Sequence, residues 1–237
     1  MTNTETLSTQ KIIVFIVFVC AALMASLFIY HSNQKPAQPI ISPDVGIIFP
    51  SPREIKSFEL ISTTQQKFTE KDFYHHWTLL FFGFTHCASV CPANLDVMKQ
   101  VYTQLHDKYS GLNVVLVSVD PERDTLESLT RYTQQYHPAF IGLTGKIQAI
   151  RKLQSQLGIY SARENAVGDN TSSDNSSSNP SMTNSSATNN YQIQHTASIM
   201  LIDPQGKWAG LFKFGVKPDE LVKAFETAVH ASWRNHA

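Results

Sequence analysis

Cys87 and Cys91 stand four positions apart, with three residues between them, in the segment Thr85-His86-Cys87-Ala88-Ser89-Val90-Cys91-Pro92. Two residues four apart on a helical turn have Cβ atoms about 5–6 Å from each other. That separation suits two thiolates on one metal and, with tightening, a disulfide. Thioredoxin-type oxidoreductases place two residues between their cysteines, so the spacing leaves metal and redox chemistry both open. Soft thiolates select Cu(I), zinc or iron–sulfur. Two cysteines are too few for a four-thiolate cluster, and zinc usually takes four ligands. Cu(I) accepts three, so a pair of thiolates and one further donor would complete a copper site.

The segments around the pair must position it. Thr78 to Phe84 (TLLFFGF) is a continuous apolar run without a helical stripe, as in a strand buried on both faces. From about Pro92 to Tyr109, Leu95, Met98, Val101, Tyr102 and Leu105 share one face of a helix. The cysteines therefore fall on the loop leaving a strand and on the first helical turn. Sites form at this end of strands in α/β sheets, and the helix dipole is expected to lower a thiol pKa there.

Phe58 and Leu60 alternate with polar residues as in a half-buried strand, and Asn113 to Val119 (NVVLVSV) is a second buried strand. Asp124 can cap a helix with Glu127 at the reciprocal position, so the run Asp120, Glu122, Arg123, Asp124 reads as a turn plus a cap. Ile147 to Leu157 is an amphipathic helix. Ala197 to Ile202 and Trp208 to Phe214 are strands joined by the turn Asp203-Pro204-Gln205-Gly206, and Lys217 to Trp233 closes the chain as a helix. Strands alternating with helices, then a hairpin and a last helix, imply an α/β sheet covered on both faces. Residues 168 to 190 carry almost no apolar side chains and read as a disordered surface insertion.

A third donor must come from nine histidines. His31, His230 and His236 lie near the apolar run or the C-terminus, and His75, His76, His106 and His137 read as surface residues. His86 adjoins Cys87, but at a strand end its ring would point to the opposite face. His195 sits on the loop entering the Ala197 to Ile202 strand, which in a thioredoxin-like sheet would face the cysteines, and the residues alone leave both His195 and His86 open as the third donor.

The 237 residues are 42% hydrophobic and 16% charged, enough for a core without disulfide staples. Net charge is zero with no basic stripe, so nothing favours nucleic-acid binding. Ile12 to Tyr30 is 19 residues without a charge, which at about 1.5 Å per residue nearly crosses a hydrocarbon core of roughly 30 Å. Lys11 favours a cytoplasmic N-terminus. Cys20 lies in this run as an apolar membrane residue. The expected organisation is a cytoplasmic segment over 1–11, a transmembrane anchor over 12–30, an extended Pro-rich tether over 31–52 and a domain over 53–233.

LLFFGFTHC-x-x-x-CP, VSVDPERDT (Val117 to Thr125), GLTG (Gly142 to Gly145) and H-T-x-x-x-x-LIDPQG (His195 to Gly206) together resemble the SCO/SenC family, from about Pro52 to Phe225. The resemblance implies a thioredoxin-like fold that binds copper, Cu(I) or Cu(II), one per chain, through Cys87, Cys91 and His195. It implies delivery of that copper to the CuA site of cytochrome c oxidase subunit II, or reduction of that site's cysteines, with a periplasmic thiol reductant keeping the pair reduced. A bacterial inner-membrane protein facing the periplasm would follow.

Two positions depart from the family pattern. Ala88-Ser89 replaces Pro-Asp, which removes a carboxylate beside the cysteines. Gln194 replaces Asp ahead of His195, which removes a charge beside that residue. The alternative function is a thiol–disulfide oxidoreductase or redox sensor using Cys87 and Cys91 as its redox pair. General oxidoreductases of this fold resemble one another in keeping a cis-proline opposite the cysteines. Gln194-His195-Thr196 has none, which favours a metal.

Overall fold

The computed structural model describes the backbone of residues 3–32, 41–165 and 191–234. The insertion expected over 168–190 lies outside these residues. Helix α1, Asn3–Ser32, belongs to one compact unit and residues 38–237 form a second. Within α1, Lys11–Tyr30 is long and apolar enough to cross a membrane, and none of it is buried in the protein.

The second unit is built on an eight-stranded sheet. Its strands are β1 (Gly46–Glu54), β2 (Glu59–Ser62), β3 (Lys67–Thr69), β4 (Thr78–Gly83), β5 (Asn113–Ser118) and β6 (Ile141–Thr144), followed by β9 (Ile199–Ile202) and β10 (Lys207–Phe212). The order across the sheet is β1-β10-β9-β4-β5-β6-β2-β3. β4, β5 and β6 are parallel. β9 returns antiparallel to β4, and β10 antiparallel to β9. The helices are α2 (Val90–Leu105), α3 (Leu126–Tyr136), α4 (Ile147–Gln156) and α5 (Pro218–Arg234). Every residue of β4 and β9 is buried, as uninterrupted apolar runs require when helices cover both faces. The thioredoxin-like arrangement of central strands and helices is therefore present.

Three expectations change. Gly46–Glu54, read as tether up to residue 52, is the edge strand β1, paired with β10. Its register slips between Ile48 and Arg53, where Pro50 and Pro52 fall. An edge strand with a bulge tolerates prolines because their missing donors face outward. Arg53 compensates by lying 4.4 Å over the Phe49 ring and 5.2 Å over Trp208. Second, Thr125, not Asp124, caps α3, its hydroxyl accepting from the Ser128 amide at 3.1 Å. Asp124 is occupied elsewhere. Third, β7 (Ser161–Asn165) and β8 (Tyr191–His195) pair as a separate two-stranded ribbon on either side of the polar stretch.

Candidate metal centre

β4 ends at Gly83, and the chain turns through Thr85 and His86 before α2 starts at Val90. Cys87 sits on this loop, half-buried, and Cys91 lies fully buried in the first turn of the helix. The Cys91 amide donates to Cys87 Sγ at 3.3 Å, and no disulfide joins the two sulfurs. A helix needs acceptors for its first amides, and Ser89 at the cap supplies no side-chain bond. The Cys87 sulfur takes part of that role and is thereby tied to Cys91.

Cys91 packs against the strand it follows. A Cβ at Gly83 would lie 3.0 Å from Cys91 Sγ, 3.0 Å from Leu116 Cδ1 and 2.8 Å from Phe81 Cε1. Glycine is what lets the thiol sit there. The expected lowering of the thiol pKa is overturned for Cys91. Burial pushes it well above its ordinary value, the hydrogen bond with Cys87 adds to that, and a backbone hydrogen bond with Phe84 opposes it without prevailing. Desolvation outweighs the helix dipole because the sulfur has left water. Tyr132 and Tyr136 of α3, with ring centroids 5.6 Å apart, lie within electrostatic reach of both cysteines.

Asp124 holds the loop. Its carboxylate is completely buried and accepts from the Thr85 amide at 3.1 Å, from Thr85 Oγ1 at 2.6 Å and from Ser118 Oγ at 2.6 Å. The first two bonds clamp the residue two before Cys87, and the third anchors the clamp to the end of β5. The buried Asp120 carboxylate pairs with Arg123, so the run read as a turn plus a cap keeps its Asp120 and Asp124 carboxylates inside the protein. Sequence reasoning missed Thr85, Ser118 and Asp124 as a unit. Only their clustering at the ends of two adjacent parallel strands could have signalled it.

His195 is the last residue of β8, with Ser161 of β7 opposite it. Because β9 is antiparallel to β4, with Ile199 opposite Phe81, the start of β9 lies at the end of β4 that feeds the cysteine loop. Asn94, three residues after Cys91 and buried, donates from Nδ2 to the Ala197 carbonyl at 2.8 Å. The backbone two residues past His195 is thus bonded to the helix that carries Cys91. The structure brings Cys87 and Cys91 together and brings the backbone of His195 to the same end of the central strands. Among the described residues, no three His, Cys, Asp or Glu side chains converge as a metal cluster.

The model of the SCO1/SenC family matches residues 50–230. A SCO2-like protein of Rickettsia prowazekii is 30% identical over 169 residues, covering 71% of this chain and 74% of its own length. Among solved structures, Arabidopsis thaliana ScoI with copper bound superposes with a TM-score of 0.61 at 25% identity, covering 74% of this chain and 97% of the other. Bradyrhizobium japonicum ScoI with copper bound gives 0.59 at 26% identity, covering 72% and 96%.

Proposed function

The chain belongs to the SCO1/SenC family, and from that premise we propose that it is a membrane-anchored copper metallochaperone. One copper ion is its cargo, held by Cys87, Cys91 and His195. The observation that carries this reading is the unbridged cysteine pair, sulfur tied to amide across the start of α2. The donors present fit the metal. Two soft sulfurs are tied together, and that of Cys91 lies beside the apolar wall of Gly83, Phe81 and Leu116, a donor set that suits Cu(I) better than hard, oxygen-seeking cations. Relatives of known structure carry copper.

The recipient we propose is the CuA site of cytochrome c oxidase subunit II, with the α1 anchor in the bacterial inner membrane and the domain in the periplasm. An oxidising compartment would close the pair to a disulfide, so a periplasmic thiol reductant is the further partner.

The test is metal analysis of the full-length protein in detergent, reduced and supplied with Cu(I). One copper per chain is expected. Cys87→Ser and Cys91→Ser should each abolish tight binding and His195→Ala should weaken it. Unchanged copper content in the cysteine variants would sink the reading.

A second reading rests on the unequal burial of the two thiols. Cys87 is reachable and Cys91 lies beneath it. In a disulfide reductase Cys87 would attack the target sulfur and release the target's first thiolate. The Cys91 thiolate would then attack Cys87, release the second target thiolate and close the Cys87–Cys91 disulfide. Rapid copper-free reduction of a protein disulfide would favour it.

A further inference from the structure

His86 was expected to point away from the cysteines by strand alternation. The strand ends three residues earlier, at Gly83, and Thr85 and His86 lie in a turn. Alternation therefore does not govern the ring, and hydrogen bonds do. Thr85 Oγ1 lies 3.0 Å from His86 Nδ1 and donates its proton to Asp124 Oδ1 at 2.6 Å. A hydroxyl has one proton. With that proton committed to the carboxylate, the hydrogen between the hydroxyl and the ring must come from the ring.

Nδ1 therefore carries the hydrogen, and in the neutral imidazole the lone pair is on Nε2. Asp124 Oδ1 itself lies 3.7 Å from Nδ1, on the same side of the ring. The His86 side chain is 55% exposed, whereas Asp124 is fully buried. Histidines that bind metals through one nitrogen characteristically donate the other N–H to an oxygen that fixes tautomer and orientation. His86 has that second half already built, through a hydroxyl relay to a buried carboxylate, one residue before Cys87.

We propose that His86, oriented by Thr85 and Asp124, is the port ligand through which copper passes between an outside thiol carrier and the Cys87–Cys91 pair. The proposal rests on the copper reading above. Cys87, Cys91 and His195 already fill the resting site of that reading, and among the described residues His86 forms no three-ligand cluster with the cysteines, so His86 acts during transfer and not in the resting site. The step is ligand exchange and moves no electrons. Nε2 lends its lone pair to Cu(I) as one carrier sulfur leaves, and the cysteine sulfurs then replace the remaining carrier sulfur and Nε2, releasing their protons to solvent.

The experiment supplies the Cu(I)–glutathione complex to full-length protein in detergent. It follows loading by stopped flow, release to the chelator bathocuproine disulfonate, and equilibrium affinity by competition. His86→Ala should slow loading and release by about tenfold, the lower range for lost groups around a metal, while stoichiometry and affinity stay unchanged. Thr85→Val keeps the ring and removes the relay. It should slow transfer in the same direction and, in 15N spectra of the apo protein, replace the single Nδ1–H tautomer by a mixture. Unchanged rates in His86→Ala overturn the proposal, as does an affinity loss as large as the rate loss, which would make His86 a resting ligand. A wild-type protein that binds no copper overturns the reading beneath it, and that failure shows before any variant is made.

Discussion

The cysteine loop and the histidine ribbon reach one end of the central strands but are held there by different means. The loop leaves a central strand, is clamped by a buried carboxylate and packs its inner thiol against a glycine of that strand. The ribbon β7–β8 is no part of the eight-stranded sheet. Ile193 is its buried anchor, the exchange between Thr196 and Tyr160 extends its ladder, and the Asn94 bond to Ala197 ties its end to the body. One half of the site is thus preorganised by the core and the other by a handful of hydrogen bonds. Preorganised donors bind with little ordering cost, whereas loosely tethered ones spend part of their interaction on being placed.

Removing the clamp should have the largest effect. Asp124→Ala leaves the Thr85 amide, the Thr85 hydroxyl and Ser118 without their buried acceptor, and should cost about 3 kcal/mol or more in urea unfolding. Copper affinity should fall with it, because Cys87 loses its fixed backbone. Asp124→Asn keeps one acceptor oxygen and should cost less. Equal stability of Asp124→Ala and wild type would show that the core does not hold the loop. Gly83→Ala comes next. Its methyl would press on Phe81, Leu116 and Cys91 at once, an overpacking worth about 2 kcal/mol. Weaker copper binding should accompany the loss, whereas an intact site would mean that Cys91 has room to move.

The two halves were unequally legible in the sequence. TLLFFGF declares a buried strand by composition, and the cysteine spacing with Pro92 declares the start of a helix, so the inner half could be read directly. β1 escaped because prolines mark turns and linkers as readily as edge-strand bulges, and only pairing with β10 distinguishes them. Asp124 escaped because a capping-box pattern fits it at short range, whereas its partners Thr85 and Ser118 are brought to it by parallel pairing of β4 with β5. The high pKa of Cys91 follows from burial, which depends on the tertiary packing of Gly83 and Leu116 and not on position along the helix. His195 was a candidate from its place before a strand, and a family resemblance, not spacing, singled it out.

The Asn94 bond tests the weaker half. Asn94→Ala should cost about 1 kcal/mol of global stability, the net worth of one buried hydrogen bond. Its effect on copper should be larger, about a tenfold loss of affinity, because the bond orients the chain that carries His195, the third ligand proposed above. In a His195→Ala background the same substitution should leave affinity untouched. A full loss of affinity in that background would mean that Asn94 acts on the cysteines, and the two halves would not be separable.

The smallest effect belongs to one proton, and it touches the inner half alone. The folded protein holds the Cys91 thiol above its ordinary pKa of 9.0, chiefly by burial, whereas the unfolded chain releases that proton near the ordinary value. The stability this contributes is complete below pH 9.0 and falls as pH rises beyond it. Tyr132, raised from its ordinary 10.0 mainly by burial, adds a second fall at higher pH. Urea midpoints of the reduced apo protein should therefore decline above pH 9, more steeply above 10. Cys91→Ala should remove the first decline and keep the second. Parallel pH profiles for wild type and Cys91→Ala would show that the buried thiol does not resist ionisation, and with it that the inner wall of the site is wetter than Gly83, Phe81 and Leu116 make it.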